Sequence, residues 1–192
     1  MEHIESDILV FQEIQSQLKK LKIVENDPKR ERIANEIQSI LEKDKNRKVI
    51  LFSEYVDTIK HLEPYFREKF GMRLLVCDGK VSKELAKSLN SDFNAQRKDG
   101  QTNHFDILLT SDKLSEGFNL NRAGVIINYD IPWNPTRVIQ RVGRINRIGT
   151  KVFDELHIYN FFPSEIGADI VKSREIAAQK MFLIHSSLGE DA

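Results

Sequence analysis

The chain has 192 residues, and its 29 basic and 29 acidic side chains cancel, which excludes a globally basic nucleic-acid-binding surface. Apolar residues make up 40% and charged residues 30%, a mixture that excludes a wholly disordered chain. The single cysteine, Cys77, excludes an internal disulfide and a cysteine-rich zinc site, and it is typical of a reducing compartment.

Two amphipathic helices are predicted before residue 48. The first carries apolar residues three or four positions apart, at Ile4, Ile8, Phe11, Ile14, Leu18 and Leu21. Asp27 and Pro28 are a capping residue and a favourable first helical residue, so they predict the start of a second helix. Its apolar stripe is Ile33, Ile37, Ile40 and Leu41. We interpret residues 1–47 as an N-terminal helical extension.

From Lys48 onward, short continuous apolar runs alternate with amphipathic stretches. Strands are predicted at 49–52, 74–76, 107–109, 125–127 and 152–159. Helices are predicted at 56–70, 82–97 and 135–147, and a last one begins at Pro163. Runs that are apolar on both faces are typical of buried parallel strands. We therefore predict one α/β domain with a mainly parallel sheet over residues 48–192.

No apolar run approaches the ~20 residues that a membrane-spanning helix needs. The first residues, Met1 to Glu5, lack the basic and apolar segments of a signal peptide. We expect a cytoplasmic location and no membrane contact.

The most informative stretch is a predicted helix rich in arginine. Residues 131–151 include no acidic side chain, and their basic residues are Arg137, Arg141, Arg144, Arg147 and Lys151. Arg137, Arg141 and Arg144 fall within about 60° of one another on a helical wheel. Val138, Ile139, Val142 and Ile145 take the opposite face. A row of guanidinium groups suits phosphate, although a solvated basic face is the alternative.

Gly143 lies inside this helix, where glycine costs about 1 kcal/mol relative to alanine. Close approach of another group to the backbone would explain the cost, and so would packing against a strand.

The chain has no phosphate-binding loop of the Gly-x-x-x-x-Gly-Lys-Ser/Thr type, and Gly79-Lys80-Val81 is the nearest approach. Asp154-Glu155-Leu156-His157 spells a magnesium-site pattern, but we interpret these residues as part of a strand and predict no metal site. Arginines without a nucleotide cradle indicate a composite site, to which this chain contributes positive charge.

Three segments resemble the motifs of superfamily 2 helicases. Gln140 to Gly149 resembles motif VI, Leu108 to Leu120 resembles motif V, and Val49 to Tyr55 resembles motif IV. The segment around Asp130 and Trp133-Asn134-Pro135 is similar to the Swi/Snf-type branch. The Ser-Glu-Gly-x-Asn element at 115–119 is most similar to bacterial Swi/Snf-related ATPases that recycle RNA polymerase.

The resemblance implies the second RecA-like domain of a two-domain ATP hydrolase, with a three-layer architecture. It implies ATP with magnesium, held mainly by a first RecA-like domain that this chain lacks. The implied partners are that N-terminal ATPase domain, in the same polypeptide or a separate subunit, and nucleic acid, for which we favour DNA. This chain alone is expected to be inactive. A non-catalytic docking module with the same fold is the alternative.

The resemblance also implies roles for individual residues. Arg144 and Arg147 would act as arginine fingers on the γ-phosphate, and Gln140 would link the nucleotide to the neighbouring domain. Gly117 and Asn119 would lie near the nucleotide ribose or the coupling network. Ser53, Thr110 and Ser111 would bind the nucleic-acid backbone. Alternatives are strand capping for Ser53 and Thr110, and a turn with positive φ for Gly117.

Overall fold

Each predicted apolar run forms a strand in the computed structural model, which describes residues 2–97, 100–115, 117–132, 134–146, 152–161, 179 and 182. The strands are β1 (Lys48–Ser53), β2 (Leu74–Cys77), β3 (Ile107–Ser111), β4 (Ala123–Asn128) and β5 (His157–Asn160). Every residue of β1, β3 and β4 is buried, which explains why their sequences are continuously apolar rather than alternating.

The sheet has the strand order β2-β3-β1-β4-β5, and all neighbouring strands are parallel. The predicted α/β class with a parallel sheet is therefore confirmed. Because parallel strands end at the same side of a sheet, residues that follow different strands meet there. We call this side the carboxyl edge and the opposite side the amino edge.

The described part of the chain also contains five α-helices with defined bounds. They are α1 (Glu2–Leu21), α2 (Pro28–Lys43), α3 (Val56–Phe70), α4 (Lys83–Phe93) and α5 (Pro135–Ile145). One buried cluster joins α4 and α5 to the strands, through Leu89, Phe93, Val138, Val142 and Ile145 against Ile50, Phe52, Leu108 and Ile126. Helix α3 buries Ile59, Leu62 and Phe66 outside that cluster and contacts β1, β2 and β3. Helices thus cover both faces, as the three-layer architecture requires.

Two predicted boundaries shift for tertiary reasons. Helix α4 ends at Phe93 rather than near Arg97, because the Ala95 amide donates to Asn121 Oδ1 at 2.8 Å instead of continuing the helix. Strand β5 begins at His157 rather than Val152, so Asp154, Glu155 and Leu156 all precede the strand, and their interpretation as strand residues is wrong. The last predicted helix, from Pro163, lies almost entirely outside the described residues.

The chain divides into two compact units, residues 1–38 and 39–192. In the first unit, both predicted helices form, and Asp27 Oδ1 caps α2 by accepting from the Lys29 and Arg30 amides. The apolar stripe of α1 is exposed: Phe11, for example, keeps 70% of its surface accessible. None of the helices within the described ranges has the length and apolar content needed to cross a membrane.

The amino edge holds a buried ion pair. The Lys48 ammonium, at the start of β1, lies 3.8 Å from Asp92 and donates to the Phe105 carbonyl. Burial, reinforced by the positive charge of Arg122, lowers the pKa of Lys48 to about 8 although Asp92 opposes the shift. Burial alone would raise the pKa of Asp92, but hydrogen bonds from Thr102 and Phe105 and the Lys48 charge hold it below its usual value.

Candidate functional site

The carboxyl edge brings together two of the predicted nucleic-acid-binding residues. Ser53 ends β1 and Ser111 ends β3, and the two are directly paired in the parallel register. Ser53 Oγ donates to Asp130 Oδ2 at 2.5 Å, and the Glu54 amide donates to Asp130 Oδ1 at 2.7 Å. Asp130, which follows β4, therefore fixes the end of β1 from the neighbouring strand.

Thr110 and Ser111 differ in how their hydroxyls are satisfied. Thr110 is fully buried, and its Oγ1 donates to the Ser111 carbonyl at 3.2 Å. Ser111 is 1% exposed, and its Oγ has no hydrogen-bond partner among the described residues. A buried hydroxyl without a partner costs about 1–3 kcal/mol. Of the two, Ser111 therefore has the hydroxyl that gains most from an external acceptor.

Helix α5 begins as predicted, with Asn134 Oδ1 accepting from the Thr136 amide at 3.0 Å and Pro135 in the first turn. The helix ends at Ile145 rather than Arg147, and the Asn146 amide donates to the Val142 carbonyl at 2.8 Å. Val138, Val142 and Ile145 are buried, as the sequence predicts for that face.

The expected open row of three guanidinium groups is wrong for Arg141, which is fully buried. Its Nε and Nη2 donate to the two carboxylate oxygens of Asp112 at 2.6 and 2.8 Å. Its Nη1 donates to Asn128 Oδ1 at 2.7 Å, and the guanidinium carbon lies 5.0 Å from the centre of the Phe52 ring. Arg141 therefore ties α5 to the ends of three strands rather than binding a ligand.

Arg137 is also neutralised within the chain. Its Nη1 lies 3.2 Å from Glu54 Oε1 and 3.4 Å from Asp112 Oδ2, while 45% of its side chain stays exposed. No acidic residue lies at helical spacing from Arg137, and both of its partners instead follow strands of the sheet. This ion pair is open to solvent and is correspondingly weak.

Arg144 is different from both. It is half-buried near the end of α5, and in the described part of the chain its guanidinium makes no hydrogen bond or ion pair. Its carbonyl accepts from the Leu120 amide at 3.0 Å, which ties the helix to the segment that carries Gly117 and Asn119. Gln140 is exposed on the same helix, whereas Arg147 lies outside the described residues.

The segment after β3 contains the other two predicted residues. Gly117 has φ +99°, so the turn that was the alternative explanation for this glycine is present. Asn119 Nδ2 donates to Gln96 Oε1 at 2.6 Å. The structure thus engages the Asn119 side-chain amide within the protein, with a residue that follows α4.

Gly143 is exposed, and a Cβ built on it would meet nothing within 4 Å among the described residues. Packing of a strand of this chain against Gly143, one of the two expected explanations, is therefore wrong for the described part. Approach by a group from outside the chain stays a prediction.

A cavity of about 490 Å³ opens at the carboxyl edge. Its lining combines two acidic, two basic and three other residues: Glu54, Asp112, Lys113, Arg137, Val56, Ser111 and Gln140. Within the described ranges, no three histidine, cysteine or carboxylate side chains lie close enough to hold a metal ion. Besides the Glu54 and Asp112 carboxylates, which pair with Arg137, the edge has guanidinium, ammonium and hydroxyl groups, which suit an oxyanion.

Sequence reasoning missed the acidic residues of this edge as parts of the site. Glu54, Asp112 and Asp130 follow β1, β3 and β4 by one or two positions. The signal was present, because polar residues directly after three buried parallel strands converge at one edge. Glu54 and Asp112 pair with guanidinium groups of α5, whereas the Asp130 carboxylate accepts from the end of β1. These pairings depend on strand order, which the sequence alone does not give.

A five-stranded parallel sheet covered by helices on both faces is the architecture of a RecA-like domain. The family described as the helicase conserved C-terminal domain matches residues 28–149. The chain belongs to this family, as the resemblance to superfamily 2 helicases predicted.

Two relatives and one solved structure show the extent of the similarity. An uncharacterized ATP-dependent helicase of Mycoplasma pneumoniae is 30% identical over 88% of this chain and 15% of that protein. RNA polymerase-associated protein RapA of Vibrio vulnificus is 30% identical over 62% of this chain and 12% of that protein. The C-terminal part of the Fun30 ATPase domain aligns with a TM-score of 0.54 and 19% identity, covering 79% of this chain and 53% of that one. This chain therefore spans a small fraction of these two relatives.

Proposed function

We propose that this chain is the second motor domain of an ATP-dependent helicase or translocase that acts on nucleic acid. In this proposal an N-terminal RecA-like domain holds ATP and magnesium, and the present chain adds Arg144 and Arg147 to the nucleotide from the other side. The family assignment supports the motor, and the relatives that carry the name ATP-dependent helicase support the use of ATP.

The observation that carries the proposal is the state of Arg144. Of the three arginines described on α5, Arg137 and Arg141 are paired with carboxylates of this chain, whereas Arg144 has no such partner in the described residues. Because Arg144 is half-buried, its side chain has fewer conformations open to it, while its positive charge is not paired with a carboxylate of the described chain. Such a guanidinium is suited to an anion supplied from outside the chain.

The chemistry follows from charge. Phosphoryl transfer from ATP to water builds negative charge on the oxygens of the transferred group, and a fixed guanidinium stabilises that charge. An arginine that acts in this way contributes about 10³- to 10⁵-fold to the rate. The hydrogen bond between the Leu120 amide and the Arg144 carbonyl, at 3.0 Å, helps to fix the backbone from which the side chain extends. Gln140, exposed one turn earlier, would contact the neighbouring domain.

The nucleic acid would lie along the carboxyl edge, with Ser53, Thr110 and Ser111 at the strand ends. The unpartnered Ser111 hydroxyl supports this assignment, since phosphate oxygens accept from hydroxyl groups. Contacts to phosphate rather than to base edges give binding that depends on salt and tolerates any sequence.

The test is ATP turnover by the full-length protein with Arg144→Ala or Arg147→Ala. We expect turnover to fall by about 10³-fold or more, while ATP binding, measured separately, is retained. Arg67→Ala is the matched control, because Arg67 forms an exposed ion pair with Glu63 on α3. Turnover within a few-fold of the unmodified protein in the Arg144 variant would contradict the assignment.

A further inference from the structure

Among the described residues of the carboxyl edge, Arg137 is a cation that is shared between two weak partners. Its Nη1 is 3.2 Å from Glu54 and 3.4 Å from Asp112, and 45% of the side chain is exposed. Asp112 is already satisfied by Arg141, which donates to both of its carboxylate oxygens. Glu54 is therefore the carboxylate that mainly balances the charge of Arg137.

Glu54 is held in position by its own backbone. The Glu54 amide donates to Asp130 Oδ1 at 2.7 Å, and Tyr55 N donates to Ser53 Oγ at 3.2 Å. This geometry directs the Glu54 side chain toward α5, where 23% of it is exposed. The carboxylate thus occupies the position next to Arg137 that an anion from solution would otherwise take.

The cavity beside this pair has the features of a phosphate site. Ser111 lines it, and the buried Ser111 hydroxyl has no partner in the part of the chain that the structure describes. Lys113, exposed on the same wall, adds a second cation. A phosphate oxygen could accept from Arg137 and, after rotation about the Ser111 Cα–Cβ bond, from the Ser111 hydroxyl.

We propose that Arg137 binds a phosphodiester of the nucleic-acid strand, and that Glu54 competes with the strand for Arg137. The inference rests on the proposed function, and it adds a residue pair that sets the strength of nucleic-acid binding. When the strand binds, the phosphate replaces Glu54 beside Arg137 and the Glu54 carboxylate turns to solvent. Glu54 therefore lowers the affinity of the protein for the nucleic-acid strand and favours dissociation of the strand.

The test is equilibrium binding of a labelled single-stranded oligonucleotide to the nucleotide-free, full-length protein at several salt concentrations. We expect Glu54→Gln to bind about 2- to 5-fold more tightly, the range that the loss of one exposed competing ion pair allows. Arg137→Gln should bind more weakly, and its dependence of log K on log salt should be shallower by about 0.7, the loss of one phosphate contact.

The decisive comparison is the double variant. If Glu54 acts through Arg137, then Glu54→Gln has no effect once Arg137 is replaced. Equal tightening with and without Arg137 would overturn the proposal, because it would show a general effect of removing a negative charge. Glu63→Gln is the matched control, since Glu63 pairs with Arg67 on α3 and should leave binding unchanged.

Inorganic phosphate, used as a competitor of the oligonucleotide, distinguishes a site for a free phosphate ion from a site for the phosphodiester of a strand. If Glu54→Gln gains affinity for phosphate but not for the oligonucleotide, the cavity takes a free anion and the proposal is wrong. Unmodified protein that binds no oligonucleotide contradicts the proposed function itself. Normal binding by the unmodified protein with no change in either variant contradicts only the role of Arg137 and Glu54.

Discussion

Three arginines on one helix occupy three electrostatic environments, and their positions around the helix account for the difference. At about 100° per residue, Arg141 lies about 40° from Ile145, at the border of the buried face. The Arg141 side chain is fully buried, and its guanidinium donates hydrogen bonds to Asp112 and Asn128. Arg144, about 60° further round, remains half-buried with no carboxylate of the described chain paired to it.

Gly143 permits a test of what approaches α5 from outside. Because its Cβ position is open within the described chain, Gly143→Ala should stabilise the 192-residue chain by up to about 1 kcal/mol through helix propensity. If a neighbouring domain or nucleotide approaches the Gly143 backbone, the same change lowers ATP turnover by the full-length protein. Denaturant unfolding measures the first effect and steady-state ATP hydrolysis the second.

Gly71→Ala is the control for this substitution. Gly71 also has open space around its Cβ position, but its φ of +56° disfavours a side chain. Alanine there should therefore destabilise the chain by about 1 kcal/mol. A loss of stability in Gly143→Ala as well would show that the helix is strained at that position.

At the scale of elements, Arg141 attaches α5 to the sheet. It joins the helix to Asp112, directly after β3, and to Asn128 at the end of β4, and its guanidinium lies over the Phe52 ring of β1. Arg141→Met keeps much of the apolar volume but leaves Asp112 and Asn128 without their main donor. We expect a loss of about 3 kcal/mol or more in the free energy of unfolding, as for other buried ion pairs that lose one partner.

Arg67→Met provides the comparison, because the Arg67–Glu63 pair on α3 is exposed and should contribute less than about 1 kcal/mol. Both variants are measured by denaturant unfolding of the 192-residue chain. Equal, small losses in the two variants would mean that α5 is held by Val138, Val142 and Ile145 alone.

The sequence predicts the strands and α5 well because each has a strong local cause. Continuous apolar runs such as Val49 to Phe52 exclude exposed faces, and Asn134-Pro135 starts a helix through its own backbone chemistry. By contrast, the position at which α4 ends and the identity of the partners of Arg137 are not determined by neighbouring residues in the sequence. Asn121, Glu54 and Asp112 act from distant segments, and only the strand order brings them into contact.

At the scale of the whole molecule, the two edges of the sheet hold different kinds of charge. The amino edge buries Lys48 with Asp92, whereas the carboxyl edge leaves its cavity open. The pKa of Lys48 is about 8 in the folded chain, against 10.5 in the absence of these contacts. Between these two pH values the unfolded chain binds more protons than the folded one, so the free energy of unfolding rises with pH.

We expect this rise to amount to roughly 2–3 kcal/mol between pH 8 and 10.5, superimposed on the contributions of other groups. Burial raises the pKa of the Cys77 thiol, which opposes the trend in the same range. The informative quantity is therefore the difference between the unmodified chain and Lys48→Met, measured by denaturant unfolding at each pH. Lys60→Met, at an exposed lysine, should keep the full slope. An unchanged slope in Lys48→Met would show that Lys48 does not titrate in this range.

The hydrogen bond from Ser53 to Asp130 joins residues 77 positions apart, and the pair of Arg141 with Asp112 spans 29. Contacts of such separation form late, since the intervening chain must first lose its freedom. During synthesis, a nascent chain that ends before Asp130 holds Ser53 and Glu54 without the carboxylate that accepts from the Ser53 hydroxyl and the Glu54 amide. The end of the first strand therefore acquires its final geometry only after the fourth strand has emerged from the ribosome.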